Sequence, residues 1–364
     1  MPTECRQDSL DFASVGSRKV TAAFDGGAIT SNAGALLLRE ADRAIGLSRQ
    51  VAACFKDGRR QDRIEHAVET LVAQRIHGLA LGYEDLNDHD ELRHDPVLGL
   101  LSGKVEAKRS DCAALAGKST LNRLEHAPRA EDDRYRKLSL DEEAMTRLFV
   151  SLFLNGQERP PARIILDLDA TDDPIHGDQE GRFFHGYYKC YCYLPLYIFC
   201  GRELLLAKLR PANIDASTGA KEEAAWIIAQ IRERWPDVDI WLRADSGFCR
   251  EELMAWCEDN AVHYIFGLAR NSRLEALIAD ELAAAEAKAK ESGKPERIFK
   301  ELCYQTLKSW RCERRVVAKA EHLPKGPNPR FVVTSLTSEA VEAQELYETI
   351  YCARGEMDGS TCSP

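Results

Sequence analysis

The chain has 364 residues, 44% of them hydrophobic and 30% charged, with a formal net charge of -10, the balance of a soluble globular protein large enough for two or three domains. No apolar run approaches the length of a membrane span, and the N-terminus lacks the basic-then-apolar pattern of a signal peptide. The acidic balance argues weakly against a nucleic-acid partner, although phosphate binding is a local matter of Lys and Arg.

The first 155 residues read as mainly helical. A short strand from Lys19 to Phe24 ends in an Asp-Gly-Gly turn, and Ser31 or Asn32 is placed to cap a helix running toward Leu47. Apolar residues at helical spacing predict a helix over Ile64–Leu81. Asp95-Pro96 opens a short helix to Leu101. Lys118–Glu125 carries a Ser or Thr cap and a basic, polar face. It reads either as part of a small helix-turn-helix that touches DNA through Lys118 and Arg123, or as a surface helix of a bundle. Ser139–Leu154 is a further helix with acids in its first turn, where the helix dipole favours them.

From Arg163 the pattern changes to strands. RIILDLDATDDP begins with an apolar, β-branched run and closes in turn residues, so it is a strand that carries carboxylates at its end. Gly181–Cys200 is rich in aromatic residues and reads as one long strand, bent at Pro195. Gly201-Arg202 is a tight turn into a strand at Glu203–Leu209. A helix over Ala220–Trp235, a strand over Asp239–Ala244, a helix over Arg250–Asn260 and a strand over His263–Leu268 follow. The order is that of a ribonuclease H-like domain. Leu274–Glu291 is a solvated Ala-rich helix. Phe299–Trp310, Arg314–Ala320 and Arg330–Leu336 form a β-containing insertion before a last helix that starts near Ser338. The expected divisions are therefore a mainly helical region at 1–155, a ribonuclease H-like core at 160–270, a helix and β insertion at 271–337 and a last core helix at 338–364, within an α/β fold. The twelve cysteines include no CxxC pair and read as reduced cytosolic thiols, mostly in packing roles.

The chemistry lies in two carboxylates. Asp169 ends the first core strand and Asp245 the fourth, and in this element order those strands are neighbours. Two acids there, with a third from the last helix, are suited to Mg²⁺ or Mn²⁺, which take oxygen ligands and activate a water or hydroxyl toward a phosphodiester. The plainer alternative is a solvated strand end with Asp in a turn. His176 and His185 read as loop hydrogen-bonders because Mg²⁺ prefers oxygen. Tyr187, Tyr188, Tyr191 and Tyr193 suit either base stacking or sheet packing. Ser246 has no His partner in view to make it a nucleophile.

Four stretches, FDGGAITSNAGALLLREAD, LDLDATDDPIHGDQEGRFFHGYYKCYCYLPLYIFC, LRADSGF and YCARGEMD, together resemble the bacterial insertion-sequence transposases of the DDE type, the group called transposase DDE domain, group 1. The resemblance runs from about Phe24 to Asp358. It implies metal-dependent DNA cleavage and strand transfer at transposon ends, with double-stranded DNA and terminal inverted repeats as partners, a homodimer on the DNA, and a cytoplasmic, nucleoid-associated location without a membrane. It makes Asp169 the first acid, with Asp167 as the fallback, and Asp245 the second. Tyr351 and Arg354 match the family's helix motif and would contact DNA phosphates; the alternative is a core Tyr and a capping Arg. Asp358 takes the place of the family's Glu as third acid and metal ligand, one methylene shorter. Glu356 lies half a turn away. The sequence then reads GSTCSP where the family continues its helix to a Lys and a basic region, which implies a truncated or frameshifted transposase with impaired strand transfer. A DNA-binding remnant that represses intact copies, a ribonuclease H-like nuclease that only hydrolyses, and an acidic α/β protein without a nucleic-acid role are the competing readings.

Overall fold

A computed structural model describes residues 10–15, 17–22, 30–104, 114–126, 128, 133 and 135–354. The chain divides into two units, Met1–Leu148 and Phe149–Pro364.

In the first unit, β1 (Leu10–Val15) and β2 (Arg18–Ala22) form an antiparallel pair. A 3₁₀ turn at Ala33–Ala35 leads into α1 (Leu36–Ile45) and then α2 (Leu47–Ala53). Gly46, at φ 67°, separates the two helices in a left-handed conformation that favours glycine. The helix expected from Asn32 toward Leu47 is therefore shorter, and Asn32 makes no side-chain cap. After β3 (Phe55–Asp57) come α3 (Val68–Ala80), α4 (His89–Leu92), α5 (Pro96–Leu101) and α6 (Lys118–Glu125). Ser139, expected to open a helix, lies instead in β4 (Leu138–Leu140), antiparallel to β3. Asp141 then accepts from the Ala144 amide at 3.0 Å, so α7 (Glu142–Gly156) starts later than expected and runs across the division of the chain.

Leu71, Val72, Ala116, Leu121, Leu124 and Leu138 make one apolar core of this unit. Gln74 is fully buried, and its side chain is satisfied by both backbone groups of Ala116, donating at 2.8 Å and accepting at 3.1 Å. A buried amide is tolerated only with such partners, so this pair fixes the approach to α6 against α3. The cap of α6 also differs from expectation: its first amide, that of Lys118, donates to Asp90 of α4 at 3.1 Å, and Ser119 and Thr120 do not cap.

The second unit is built on one sheet. Its strands are β5 (Arg163–Ala170), β9 (Leu196–Cys200), β10 (Glu203–Lys208), β11 (Asp239–Ala244), β12 (His263–Leu268), β13 (Glu296–Tyr304), β14 (Arg314–Leu323), the short β15 (Gly326–Pro327) and β16 (Arg330–Thr334). They lie in the order β10-β9-β5-β11-β12-β16-β14-β13, with β15 beside β14. β9 is antiparallel to β5 and β10 to β9, whereas β11 runs parallel to β5 and β12 parallel to β11. The segment expected to be an insertion thus continues the main sheet, because β16 pairs with β12 along Ile265–Leu268. Between strands stand α8 (Ala220–Arg234), α9 (Glu251–Asp259), α10 (Ser272–Leu277) and α11 (Ala279–Ser292).

Gly181–Cys200 is not one strand. β6 (Asp173–Pro174), β7 (Phe183–His185) and β8 (Cys190–Tyr193) form a separate three-stranded sheet in the order β6-β8-β7. The chain turns between β7 and β8 with Lys189 at φ 58° and its amide donating to His185, and Pro195, which has no amide hydrogen, separates β8 from β9.

Alternation along β5 decides which side faces what. Ile164, Leu166 and Leu168 enter the larger core with Ile227, Ile228 and Ile231 of α8 and Leu253 and Met254 of α9, each burial being worth about 1.5–3 kcal/mol. Ile165 and Trp241 point the other way, into a smaller core with Leu346 and Tyr347 of the C-terminal segment. That segment starts at α12 (Ala343–Glu345), later than the expected Ser338, and continues as a π-helix over Leu346–Tyr351 and a 3₁₀ turn over Cys352–Arg354. All nine cysteines among the described residues are free thiols, so packing and ion pairs hold the unit; Cys303, Cys312 and Cys352 are exposed instead of packed. Among the described residues no helix is long and apolar enough to cross a membrane.

One ion network joins three of these elements. Arg314 of β14 is buried and donates to Glu251 at 2.6 Å and Glu258 at 2.7 Å on α9, and Tyr264 of β12 donates to Glu258 at 2.8 Å. Burial alone would raise the Glu258 carboxyl, but hydrogen bonds from Arg314, Tyr264 and Arg311 outweigh it and bring it down to about 2. A depressed folded-state value contributes stability that is present above the ordinary carboxyl range and lost as pH falls toward 2. Melting temperature measured from pH 6 to 2.5 should fall below about pH 4.5, and less steeply in Glu258→Gln; equal slopes would remove Glu258 from that account.

Candidate active site

Asp167 and Asp169 lie on the same face of β5, but the fold gives them different tasks. Asp167 is buried and takes a two-pronged ion pair from Arg243 of β11, with Nε at 2.5 Å from one carboxylate oxygen and Nη2 at 2.7 Å from the other. Arg243 is the cross-strand partner of Asp167 in the parallel register. Its remaining nitrogen, Nη1, donates to the carbonyl of Ile350. The planar guanidinium thus satisfies a buried acid and the C-terminal segment at once.

Two residues along come Asp169 and Asp245, just past the end of this pairing. The last β5–β11 pair is Leu168 with Ala244, and Asp245 keeps an extended backbone at φ -76° and ψ -173°. Each acid follows this last pair by one residue, so Asp169 and Asp245 both stand where the pairing of β5 with β11 ends, and Asp169 lies on the face of β5 opposite the larger core. The Asp245 carboxylate accepts from the Gly247 amide at 2.8 Å, which fixes one of its oxygens in a 3₁₀ turn. Arg354 places Nη1 3.7 Å from Asp169 Oδ1, and both side chains are mostly buried. A guanidinium there offsets the repulsion of two like charges.

The C-terminal segment reaches this edge through its π-helix, a widened turn of the kind often found at functional sites. Tyr351 follows the Ile350 carbonyl that Arg243 holds, and its hydroxyl lies over Gly267 of β12. A Cβ on Gly267 would come within 2.6 Å of that hydroxyl and 2.9 Å of the Ser246 amide, so this position has no room for a side chain. Burial chiefly raises the Tyr351 phenol, with Arg354 opposing and Asp245 adding to the shift. A cleft of about 430 Å³ opens here, lined among others by Asp245, Gly267, Arg270, Arg330, Tyr351 and Arg354. One acid and three guanidiniums around a single cleft suit an anionic ester more than an uncharged ligand.

Of the residues singled out from the sequence, Asp169, Asp245, Tyr351 and Arg354 are thus brought to one edge of the sheet. Asp358 and Glu356 lie outside the described residues, and so do the 24–29 part of the N-terminal motif and the GSTCSP tail. Lys118 and Arg123 are in the first unit, on a cleft with Asn122, Tyr135 and Arg136; Lys118 pairs with Asp90 at 3.3 Å and Arg123 is exposed. His176 is exposed, and His185 packs its ring 4.8 Å from that of Tyr188. Arg270 and Arg330 were not legible as site residues: Arg270 follows β12 and Arg330 opens β16, and only the pairing of those strands brings them to the cleft with Asp245.

The donor set admits a divalent metal ion. Asp169 and Asp245 offer two oxygen-bearing side chains at one open edge, and Mg²⁺ is commonly held by one or two carboxylates together with water and phosphate. Among the described residues no group of three His, Cys, Asp or Glu side chains converges on a metal-sized site, so the described chain supplies a two-carboxylate set. The family described as transposase DDE domain group 1 matches residues 12–360, a span that covers most of both units. No curated protein matches the chain.

Arg243 is expected to be a strong determinant of stability as well as of site geometry. Removing one partner of a buried ion pair costs about 3–5 kcal/mol, so Arg243→Met should lower the unfolding free energy in urea by that amount. Asp167→Leu with Arg243→Met should recover much of it. A single-variant loss below about 1 kcal/mol, the scale of an exposed pair, would contradict the burial argument.

Proposed function

The chain belongs to the DDE transposase family, group 1, and on that premise we propose that its second unit is a ribonuclease H-like catalytic domain that cleaves and rejoins DNA at insertion-sequence ends. The observation that carries this reading is the placement of Asp169 and Asp245 where the pairing of β5 with β11 ends. The strand order supports it too: β10, β9 and β5 form an antiparallel meander, and β11 and β12 follow on the other side of β5, parallel to it, as the ribonuclease H-like reading expects.

Asp169 and Asp245 would hold Mg²⁺ or Mn²⁺, with Asp358 as the third acid that the family pattern assigns. A metal bound there supplies a polarised phosphodiester and a more acidic water or hydroxyl. The chain's own groups do the remaining work. Arg270, Arg330 and Arg354 draw the DNA backbone into the cleft. Tyr351 offers a hydroxyl beside Asp245, and Arg243, through Asp167 and Ile350, positions the segment that carries Tyr351 and Arg354. The first unit contributes DNA contacts at Lys118 and Arg123 on α6, and the working form is a dimer on paired terminal repeats in the bacterial cytoplasm. A second reading, DNA binding without chemistry, draws on the cleft that Lys118, Arg123 and Arg136 line.

The test is incubation of the purified chain with DNA that carries the sequences flanking its own gene, in Mn²⁺ or Mg²⁺. Nicked and joined products are expected. Metal-assisted charge stabilisation is worth several kcal/mol, so Asp169→Ala and Asp245→Ala should each lower cutting by at least about 1,000-fold and leave DNA binding in place. Cutting that survives both substitutions would overturn the assignment. Hydrolysis without joining would favour a nuclease, and binding without cutting in the unaltered chain would favour a repressor.

A further inference from the structure

The three-stranded sheet of β6, β7 and β8 displays aromatic rings beside the acid pair, and the proposed chemistry does not use them. The sheet has two faces. Cys190 and Cys192 of β8 turn inward to a small core with Leu194 and Ala212. The alternate residue, Tyr191, turns outward and pairs across the strands with Phe184. Those two rings meet edge to face at 5.6 Å, and the guanidinium of Arg182 lies 4.8 Å from the centre of Tyr191. Tyr187, in the connecting turn, is 83% exposed, Phe184 57% and Tyr191 51%.

Position and composition identify what this face would receive. The hairpin is anchored at the site: Tyr188 packs edge to face on Tyr187 at 5.0 Å and donates its hydroxyl to the carbonyl of Ala170, the residue after Asp169. The Tyr188 phenol is pushed up to about 12, mainly by burial and then by Asp172, Asp169 and Asp245, which agrees with that proximity. A phosphate presented to Asp169 and Asp245 would bring its neighbouring nucleotides to this hairpin. The exposed large apolar side chains of the hairpin are all Phe or Tyr, with no aliphatic residue among them. Flat rings, with Arg182 held under Tyr191 by Asp178 and the Gly177 carbonyl and the cation Lys189 exposed in the turn, match bases joined by phosphates.

We propose that the β7–β8 hairpin is a base-stacking subsite, in which Phe184, Tyr187 and Tyr191 receive an unpaired base of the strand that flanks the cleaved phosphate. A paired base has its faces covered by its neighbours in the duplex, so the subsite selects DNA that is frayed or opened next to the cut. The inference rests on the reading of Asp169 and Asp245 as the DNA-cutting pair and adds to it a grip on the bases themselves.

The test measures binding of the full chain, without divalent metal, to a fluorescein-labelled 12-mer of thymidylate and to a 12-mer of abasic sugar-phosphate with the same charge. Stacking predicts that the unaltered chain prefers the thymidylate strand. Phe184→Ala with Tyr187→Ala should bind it at least about 10-fold more weakly and bind the abasic strand as before. Phe184→Leu with Tyr187→Leu, which keeps apolar surface without flat rings, should behave like the alanine pair, and Tyr187→Phe should behave like the unaltered chain. Melting temperatures of all variants are measured alongside, and these exposed positions should leave them unchanged. Equal affinity of the unaltered chain for both strands, or equal affinity of all variants for thymidylate, would overturn the subsite. So would a change from dimer to monomer with unchanged thymidylate affinity, which would make the face a contact between copies of this chain. Mn²⁺-dependent nicking of a supercoiled plasmid, run in parallel, separates the two levels. Nicking without stacking removes only the subsite; absence of both nicking and thymidylate binding removes the underlying reading as well.

Discussion

The buried pairing of Asp167 with Arg243 is the constraint on which the candidate site depends. A guanidinium with one face on a buried carboxylate and one nitrogen on the Ile350 carbonyl joins β5, β11 and the C-terminal segment at a single point. Few other side chains could do this. Lys lacks the planar fork, and a neutral group would leave Asp167 charged and buried without compensation. The pair also explains why the two acids of the LDLD stretch have different surroundings: Asp167 lies inside the sheet and is consumed by Arg243, whereas Asp169 lies near the strand end, within 3.7 Å of Arg354.

Geometry beyond that point follows from register. Parallel pairing of β5 with β11 makes neighbours of residues that are 76 apart in sequence, Asp167 with Arg243, and ends one residue short of Asp169 and Asp245. The bare Cα of Gly267 on the next strand leaves space for Tyr351, and Arg354, near Asp169, tempers the repulsion between the two acids. The site thus gathers opposite charges from three strands and one helical segment, while the apolar alternation on the other face of the same strands supplies the larger core.

Much of this was legible from the sequence, and the remainder was not for identifiable reasons. The strands at β5, β11 and β12 announce themselves as short β-branched or aromatic runs bounded by turns, and the acids at their ends stand out because carboxylates seldom close a buried strand. The splitting of Gly181–Cys200 into three strands is hidden because Tyr and Phe suit both a strand and an exposed hairpin; Lys189 in a left-handed turn gives no signal that a Gly or Asn would. Arg243 reads as an unremarked charge within LRAD until pairing places Asp167 opposite. The π-helix at Leu346–Tyr351 is invisible to a search for helical spacing, which assumes 3.6 residues per turn. The cap of α6 comes from Asp90, 28 residues earlier, which no local motif can show.

The central claim is that Asp169 and Asp245 form one metal-holding pair and that Asp167 does not belong to it. Titration of Mn²⁺ by calorimetry into the unaltered chain, Asp169→Asn and Asp245→Asn tests this most directly, because it reads the acids without requiring a DNA substrate. The account predicts binding by the unaltered chain that is lost in both variants, each of which remains folded because neither acid is part of the Arg243 clamp. Binding of equal strength in all three proteins would contradict it.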